Sequence, residues 1–376
     1  MKLAVLFHRL GPYHVARLCA AAACGRGALV AVELSGSGGE YEWAPVAADG
    51  FARVTVCPAG DSNALPRREL ARRVGARLDA VKPDVVAVAG WGDRGMRAAA
   101  AWGRRHRVPT VLMSDSQHRD EKRVWWKEWV KRRYVAGFAA GFVAGTPHAD
   151  YLTTLGMPRE RVFLGYDVVD NDHFAHGADV ARADARRLRA ELGLPPRFFL
   201  TCARFVAKKN LATLLDAYAA YRTAAADPWH LVLVGDGELR PGLEARAARL
   251  GIEATLHLPG FKQYGELAAY YGLASAFVLP SVQDQWGLVV NEALAAGLAV
   301  LASDACGCVP DLLGEGEGFD PHNAAGLARR MLELARQPAD IVEQRARVAA
   351  WGLDRFAGGL WNAAENAGKR NVSAET

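Results

Sequence analysis

Short apolar runs recur along this chain, each set off from the next by a longer Ala- and Arg-rich stretch. In the first half the strand-like runs are Leu3–Phe7, Leu29–Glu33, Ala52–Val56, Asp84–Ala89, Thr110–Met113, Gly141–Ala144 and Val162–Gly165. Helix-like stretches such as Val15–Ala22, Arg67–Val81 and Gly95–Arg107 lie between them. The pattern restarts with strands Phe198–Cys202, Leu231–Val234, Thr255–Leu258, Ala276–Leu279 and Ala299–Ala302. Helical stretches Asn210–Ala225, Gly242–Leu250, Tyr264–Leu273 and Val289–Ala296 separate these. Strands that are apolar throughout are buried on both faces, so they belong to parallel sheets covered by helices on each side. The chain therefore reads as α/β, with two doubly wound domains.

Its 376 residues agree with that division, since a single core stops growing at ~250–300 residues. The expected domains are 1–178 and 179–355, joined through a polar, Arg-rich junction near 175–196. An amphipathic helix at Trp351–Gly368, with no strand after it, is expected to return to the first domain, so that 356–376 is helix and tail. A net charge of +5 is too weak to argue for nucleic acid but suits an anionic ligand or surface. The six cysteines are scattered, and Cys306-Gly-Cys308 lacks a second Cys/His pair for zinc, so reduced thiols in a cytoplasmic protein are expected. The start, Met-Lys-Leu-Ala-Val-Leu-Phe-His, fits a first buried strand better than a signal peptide. No run of 18 apolar residues suggests a transmembrane helix.

Three strand ends carry candidate chemistry. In Pro280-Ser-Val-Gln-Asp284-Gln-Trp-Gly287-Leu-Val-Val-Asn-Glu292 a strand gives way to a loop and then a helix. The helix start at Gly287–Val289 offers unpaired N–H groups and a positive dipole end, which favours a phosphate. Carboxylates at Asp284 and Glu292 can accept from sugar hydroxyls. The plainer reading makes Asp284 a helix cap and Glu292 a surface charge. In Ala203-Arg204-Phe-Val-Ala-Lys208-Lys209-Asn210, Arg204 and Lys209 are spaced to clamp a diphosphate, or to form a solvated basic turn. Val234-Gly235-Asp-Gly237 permits close backbone approach at a third strand end.

In order and spacing these segments resemble the C-terminal half of retaining GT-B glycosyltransferases of family 4. That family carries Arg-x4-Lys, then a Gly-Asp-Gly turn, then Glu-x7-Glu around Phe-Gly-Leu-Val. Here the pattern appears as Arg204/Lys209, Gly235–Gly237 and Asp284-x7-Glu292 around Trp286-Gly-Leu-Val, with Asp replacing the first Glu. The match is good over about residues 140–340 and loose before that. The resemblance implies two Rossmann-like domains facing a cleft. It implies transfer of a sugar from a nucleotide-diphosphate sugar to a hydroxyl acceptor, a glycan, a lipid-linked glycan or a small metabolite, with retention and without a metal or other cofactor. Arg204 and Lys209 would neutralise the leaving diphosphate, Glu292 would hold the ribose, and Asp284 the donor sugar. The amides of Gly287, Leu288 and Val289 would face phosphate or sugar, with Phe261 and Lys262 bordering the base. The shorter Asp284 leaves the donor sugar open.

The first domain is expected to supply the acceptor site. Its first strand ends His8-Arg-Leu-Gly11-Pro12-Tyr13-His14, where the resemblance implies a Gly-rich loop. Gly11 fits that role, although Pro12 has no N–H to donate. Tyr13 and His14 are acceptor candidates, and His14 could equally cap the next helix. Asp115 falls where family members carry a His, with His118 close by. Either could act in proton transfer, and Asp115 could instead be a cap. Gly90-Trp91-Gly-Asp93 pairs an aromatic with a carboxylate at another strand end, suited to a sugar. Asp167 and Asp170 read as structural. The stretch 119–134, RDEKRVWWKEWVKRRY, has seven basic and three acidic residues. It is expected to pack Trp125, Trp126 and Trp129 inward with its charges solvated. The alternative is weak contact with an anionic bilayer at the inner membrane face. Oligomeric state is not legible. A GT-B epimerase and a non-catalytic nucleotide-sugar-binding protein are the rival functions. A dinucleotide oxidoreductase is disfavoured because Leu10-Gly11-Pro12 does not supply Gly-x-Gly-x-x-Gly.

Overall fold

The computed structural model describes residues 1–36, 50–337 and 339–373, with the side chains of 370–373 excluded. The chain divides into two compact units, 1–169 with 351–376, and 170–350. In chain order the first unit runs β1 (Lys2–Phe7), α1 (Pro12–Ala23), β2 (Ala28–Ser35), β3 (Ala52–Cys57), α2 (Arg67–Val81), β4 (Val85–Ala89) and α3 (Arg94–His106). It continues with β5 (Thr110–Ser114), α4 (Trp125–Val135), β6 (Ala140–Val143), α5 (Thr146–Thr154) and β7 (Val162–Leu164). The second unit comprises α6 (Asn171–Ala183), α7 (Ala185–Leu192), β8 (Phe198–Cys202), α8 (Leu211–Ala224), β9 (His230–Val234), α9 (Arg240–Leu250) and β10 (Leu256–Gly260). It closes with α10 (Tyr264–Leu273), β11 (Ala276–Leu279), α11 (Leu288–Ala295), β12 (Val300–Ala302), α12 (Val309–Leu312), α13 (Ala324–Arg336) and α14 (Ile341–Val348). The last helix, α15 (Leu353–Ser373), belongs to the first unit.

The first sheet is ordered β3-β2-β1-β4-β5-β6-β7 and the second β10-β9-β8-β11-β12, with every pairing parallel. The strands are short and rich in Val, Leu, Ala and Phe. Leu6, Val32, Val88 and Leu112 are buried in one core; Phe199, Leu231, Leu233 and Val278 are buried in the other. In each sheet the chain starts in the middle, builds one way, then reverses. The reversal falls between β1 and β4 in the first unit and between β8 and β11 in the second. Doubly wound sheets bind ligands beyond the carboxyl ends of the strands at such a point.

Most elements lie where the periodicity places them; α2, β8, α10 and β11 have the expected bounds. The junction differs. Residues 175–196 are not a linker: α6 and α7 fill most of that stretch, and the units divide at Val169/Asp170. The reason is apolar. Phe174, Ala178 and Ala181 of α6 are buried, and Phe174 packs edge-on to Tyr271 of α10. Asp170 starts α6 by accepting from the His173 N–H (3.0 Å), and Asp167 pairs with buried Arg17 (3.3 Å). The second unit ends at Ala350 rather than 355.

Helix α15 packs on α1 and on strands β4 to β7. Phe356, Leu360 and Trp361 are fully buried there. The Trp361 indole donates to the Ala21 carbonyl at 2.7 Å, so the aromatic body is buried and its one donor satisfied. Trp361→Ala is expected to destabilise the first unit by ~3–5 kcal/mol through the cavity left behind. Urea denaturation followed by circular dichroism checks this: the first unit's transition should move to lower urea while that of the second stays in place.

Candidate active site

The reversal in the second sheet brings two loops together. The loop after β8 turns through the one-turn helix Ala207–Lys209 to Asn210, a non-glycine residue at φ +53°. Its amide side chain donates to the carbonyls of Pro280 (3.1 Å) and Pro321 (2.8 Å). The Val282 N–H donates to the Lys208 carbonyl at 2.9 Å. These bonds tie the β8 loop to the loop after β11. As a result the Lys209 ammonium sits 2.5 Å from Asp284 Oδ2, with both side chains largely buried. Ser281 Oγ donates to the same carboxylate oxygen (3.2 Å). Asp284 is thus an ion-pair partner and not a helix cap. Arg204 lies partly buried on the same β8 loop.

The cap of α11 is Gly287, at φ +99° and ψ +59°. That left-handed conformation suits glycine and aims the first amides of α11 out of the helix, with Leu288 and Val289 half-buried beside them. Glu292, one turn in, is fully buried rather than a surface charge, and it accepts from the Tyr271 hydroxyl (2.6 Å). Burial beside Cys202 and Glu292 holds that hydroxyl well above the ordinary tyrosine range. Beneath the loop, Asp284 and Trp286 carbonyls accept from the amides of Gly307 and Cys308 at 3.0 Å each. Trp286 donates its indole N–H to Asn291 (2.8 Å). Cys306-Gly-Cys308 is therefore the floor of the loop. Burial pushes the Cys306 thiol up to about 12. Gly235 and Gly237 have a nearer reason to be glycine than ligand approach. A Cβ on Gly235 would stand 1.9 Å from the Ala203 carbonyl oxygen, and one on Gly237 would stand 2.7 Å from that of Phe205. Phe261 is exposed, and Lys262 lies 5.8 Å over the Tyr270 ring.

The first sheet's reversal assembles a cluster that the sequence reading divided. His8, just after β1, bonds through Nδ1 to Asp93 Oδ2 after β4 (2.9 Å). A carboxylate only accepts, so Nδ1 carries the proton and Nε2 of the neutral ring is left as a base. Nε2 lies 3.4 Å from Ser35 Oγ and 3.5 Å from Asp61 Oδ1. The hydrogen bond that His8 donates to Asp93 raises the His8 pKa against partial burial, helped by the charges of Asp93 and Asp61. Burial pushes Asp93 up, but His8 and the amides of Gly95 and Met96 outweigh it and its pKa falls. Asp93 also caps α3 through those amides (2.6 and 3.3 Å). His8, Ser35 and Asp61 were missed as site residues. Their signal was present: His8 and Asp93 follow the two strands that flank a doubly wound reversal.

The other candidates of this unit are dispersed. The Gly11 N–H donates to His14 Nδ1 (3.2 Å), so this amide is engaged within α1's own start. Desolvation lowers the His14 pKa to about 3, which makes it a capping residue in this structure. Tyr13 is half-buried on the same turn. Asp115 is exposed and is not a helix cap; the short turn at 118–120 is capped by Gln117, whose N–H donates to Asp120 (2.8 Å). His118 is exposed, edge-on to Tyr151 at 6.1 Å, and Trp91 meets Tyr151 edge-on at 6.4 Å. The expectation for 119–134 fails. Of α4 only Val135 is buried, and Trp125, Trp126 and Trp129 are 82%, 52% and 52% exposed.

Two parallel, doubly wound units with a C-terminal helix returned to the first make up the GT-B fold. Residues 184–351, almost all of them in the second unit, match the family model described as glycosyl transferases group 1. Among curated relatives, a 2-deoxystreptamine glucosyltransferase of Streptomyces kanamyceticus is 28% identical over 61% of this chain and 59% of its own length. A GDP-mannose-dependent alpha-(1-6)-phosphatidylinositol dimannoside mannosyltransferase of Mycobacterium tuberculosis is 26% identical over 73% of this chain and 72% of its own length. Among solved structures, Anabaena HepE in complex with UDP superposes with TM-score 0.71 at 17% identity, covering 97% of this chain and all of that one. A trehalose 6-phosphate synthase of Burkholderia multivorans superposes with TM-score 0.74 at 15% identity, covering all of this chain and 98% of that one. At such identities the solved structures establish the fold. Among the described residues no helix is long and apolar enough to cross a membrane.

The His8–Asp93 pair has a pH signature. His8 is raised above its ordinary 6.5, so its contribution to stability is complete below that value and is lost as pH rises through the folded pKa. Asp93 is lowered below 3.8, so its contribution is present above that value and is lost as pH falls through the folded pKa. Asp93→Asn is expected to lower the His8 ring pKa and to flatten both limbs. A ring-proton NMR titration of His8, alongside denaturation at several pH values, measures this.

Proposed function

We propose that this protein transfers a glycosyl group from a nucleotide-diphosphate sugar to a hydroxyl acceptor, with retention and without a metal. The observation that carries this reading is the Lys209–Asp284 ion pair just ahead of the start of α11 at the reversal of the second sheet, with Arg204 on the same β8 loop as Lys209 and Glu292 one turn into α11. A cation and a carboxylate held 2.5 Å apart suit the two sides of one scissile bond. Lys209 and Arg204 face the diphosphate, and Asp284 faces the sugar whose anomeric carbon leaves it. The amides of Gly287, Leu288 and Val289 supply the dipole end for phosphate, and Glu292 accepts from the ribose. Phe261 and Lys262 border the base, and Gly235 and Gly237 shape the floor between the β8 and β9 ends. Arg204 and Lys209 take the charge-stabilising role that a metal would otherwise fill. Uridine and guanosine diphosphates are the first donors to test, because HepE was solved with UDP and the mannosyltransferase is GDP-mannose-dependent. Six cysteines outside any disulfide suit a cytoplasmic site of action.

Under retention the anomeric C–O bond to phosphate breaks, the acceptor oxygen bonds to the same face, and a departing phosphate oxygen takes the acceptor proton. Asp115 and His118 are then acceptor contacts, with Trp91 set against the same Tyr151 ring as His118. A second reading rests on His8. Fixed by Asp93, its Nε2 could take the acceptor proton directly, as a general base does, with in-line displacement and inversion.

Arg204→Ala and Lys209→Ala should each lower kcat by ~10²-fold or more, the usual cost of losing one strong electrostatic donor. A thermal-shift screen of UDP, GDP, TDP and ADP and their sugars identifies the donor used. Near-normal turnover in both variants would remove the diphosphate clamp. The anomeric configuration of the product, read by NMR, separates the two mechanisms. Under retention His8→Ala keeps most activity; under inversion it loses ~10²–10⁴-fold, the range for a general base.

A further inference from the structure

Helix α4 is turned the opposite way from an ordinary surface helix. Successive residues rotate by about 100°, so Glu128, Lys131 and Val135 form one face. That polar face points inward. Glu128 accepts from the Tyr151 hydroxyl (2.9 Å) and from Lys131 (3.1 Å). Arg123, just before the helix, donates to the same hydroxyl (2.8 Å) and stacks over its ring at 4.4 Å. This network fixes the helix rotation and leaves the opposite face to solvent. That face carries Trp125, Trp126, Trp129 and Val130, all more than half exposed. Cations stand among the rings: Arg133 lies 4.3 Å over Trp129 and Lys127 lies 5.9 Å from Trp126. Arg132 is exposed beside them, and Arg119 and Lys122 are exposed just upstream.

We propose that α4 is a membrane-docking element that lays its Trp125/Trp126/Trp129 face on an anionic bilayer surface. Indole rings sit at headgroup depth, with apolar bodies toward the acyl chains and N–H groups in the polar layer. Lys127, Arg132 and Arg133 share that depth with lipid phosphates, so rings and cations are satisfied together. A protein partner fits less well. The core of a protein interface is depleted in charge, yet here the cations are interleaved with the rings. The rings also project singly from one helix instead of lining a groove.

The test is co-sedimentation of the full chain with vesicles of phosphatidylcholine alone or with about 30% phosphatidylserine, in low and high salt. The expected result is binding to the anionic vesicles at low salt, a blue shift of tryptophan fluorescence, and release by high salt. The surface variant W125A/W126A/W129A should bind at least ~10-fold more weakly, and K127E/R133E likewise, since apolar and charge contributions are both required. Circular dichroism confirms that both variants fold. Three outcomes overturn the proposal: no binding at low salt, undiminished binding by the folded triple variant, or self-association through this face in place of vesicle binding, seen as a dimer by sedimentation that the triple variant loses.

Discussion

In a parallel sheet every strand delivers the chain to the same edge, and each crossover must return it to the opposite edge before the next strand begins. All the loops that follow strands therefore gather on one side. Where the strand order reverses, neighbouring loops diverge and leave a crevice. Everything chemical in this protein depends on that rule being applied twice. In the second unit β8 and β11 are neighbours though more than seventy residues apart, as the Lys209–Asp284 separation of 75 shows. In the first unit β1 and β4 are neighbours, which joins His8 to Asp93 across 85 residues. Asn210 and Val282 then lock the second pair of loops, so that Lys209 and Asp284 meet as a consequence of topology.

Charge placed in such a crevice is costly. Removing an ion pair from water commonly offsets what the partners gain from each other. Lys209 with Asp284, and Glu292 under the Tyr271 hydroxyl, are therefore poor candidates for structural cement. The stability of the unit is accounted for by Phe199, Leu231, Leu233, Val278 and the helices packed over them. Under the proposed function the carboxylate kept fully buried one turn into α11 would be shared with a hydroxyl-rich ligand. The positive φ of Gly287 fits the same view. It is the point where the chain must turn sharply to start a helix directly beneath the loop.

The sheets were legible because buried parallel strands are apolar at every position, a signal that survives without knowing any neighbour. The loop positions of Arg204 and Lys209 were legible because they immediately follow an apolar strand. What could not be read depends on contacts distant in sequence. Glu292 is a surface charge on a bare helical wheel and becomes buried only when Tyr271 of another helix covers it. Gly235 looks like a ligand-facing glycine until the Ala203 carbonyl is known to stand against it. The polar stretch 175–196 resembled a linker, yet Phe174 and two alanines anchor its first helix. Helix α4 was misjudged because composition gives no rotation; Tyr151, contributed by α5, draws Glu128 and Lys131 inward and turns the tryptophans out.

The clamp and the base set limits on one another. Any hydroxyl transfer must find a place for one proton. If the departing phosphate takes it, that oxygen must remain basic, yet each cation that eases departure also lowers its basicity. In the proposed reaction Arg204 and Lys209 would together favour bond cleavage while weakening the phosphate as a proton acceptor. A front-face reaction tolerates this only if departure runs well ahead of proton transfer, so that charge builds on the leaving group before the clamp fully compensates it. The basicity of His8 is independent of that clamp, because it is set within the first unit and is raised by its partners there. The shorter Asp284 bears on the same question. Under the proposed function a carboxylate one methylene shorter than Glu would relax the hold on the donor face from which a retained product must form. In the proposed reaction the proton's destination would therefore follow how far charge on the diphosphate has developed when the acceptor arrives, which Arg204 and Lys209 would set.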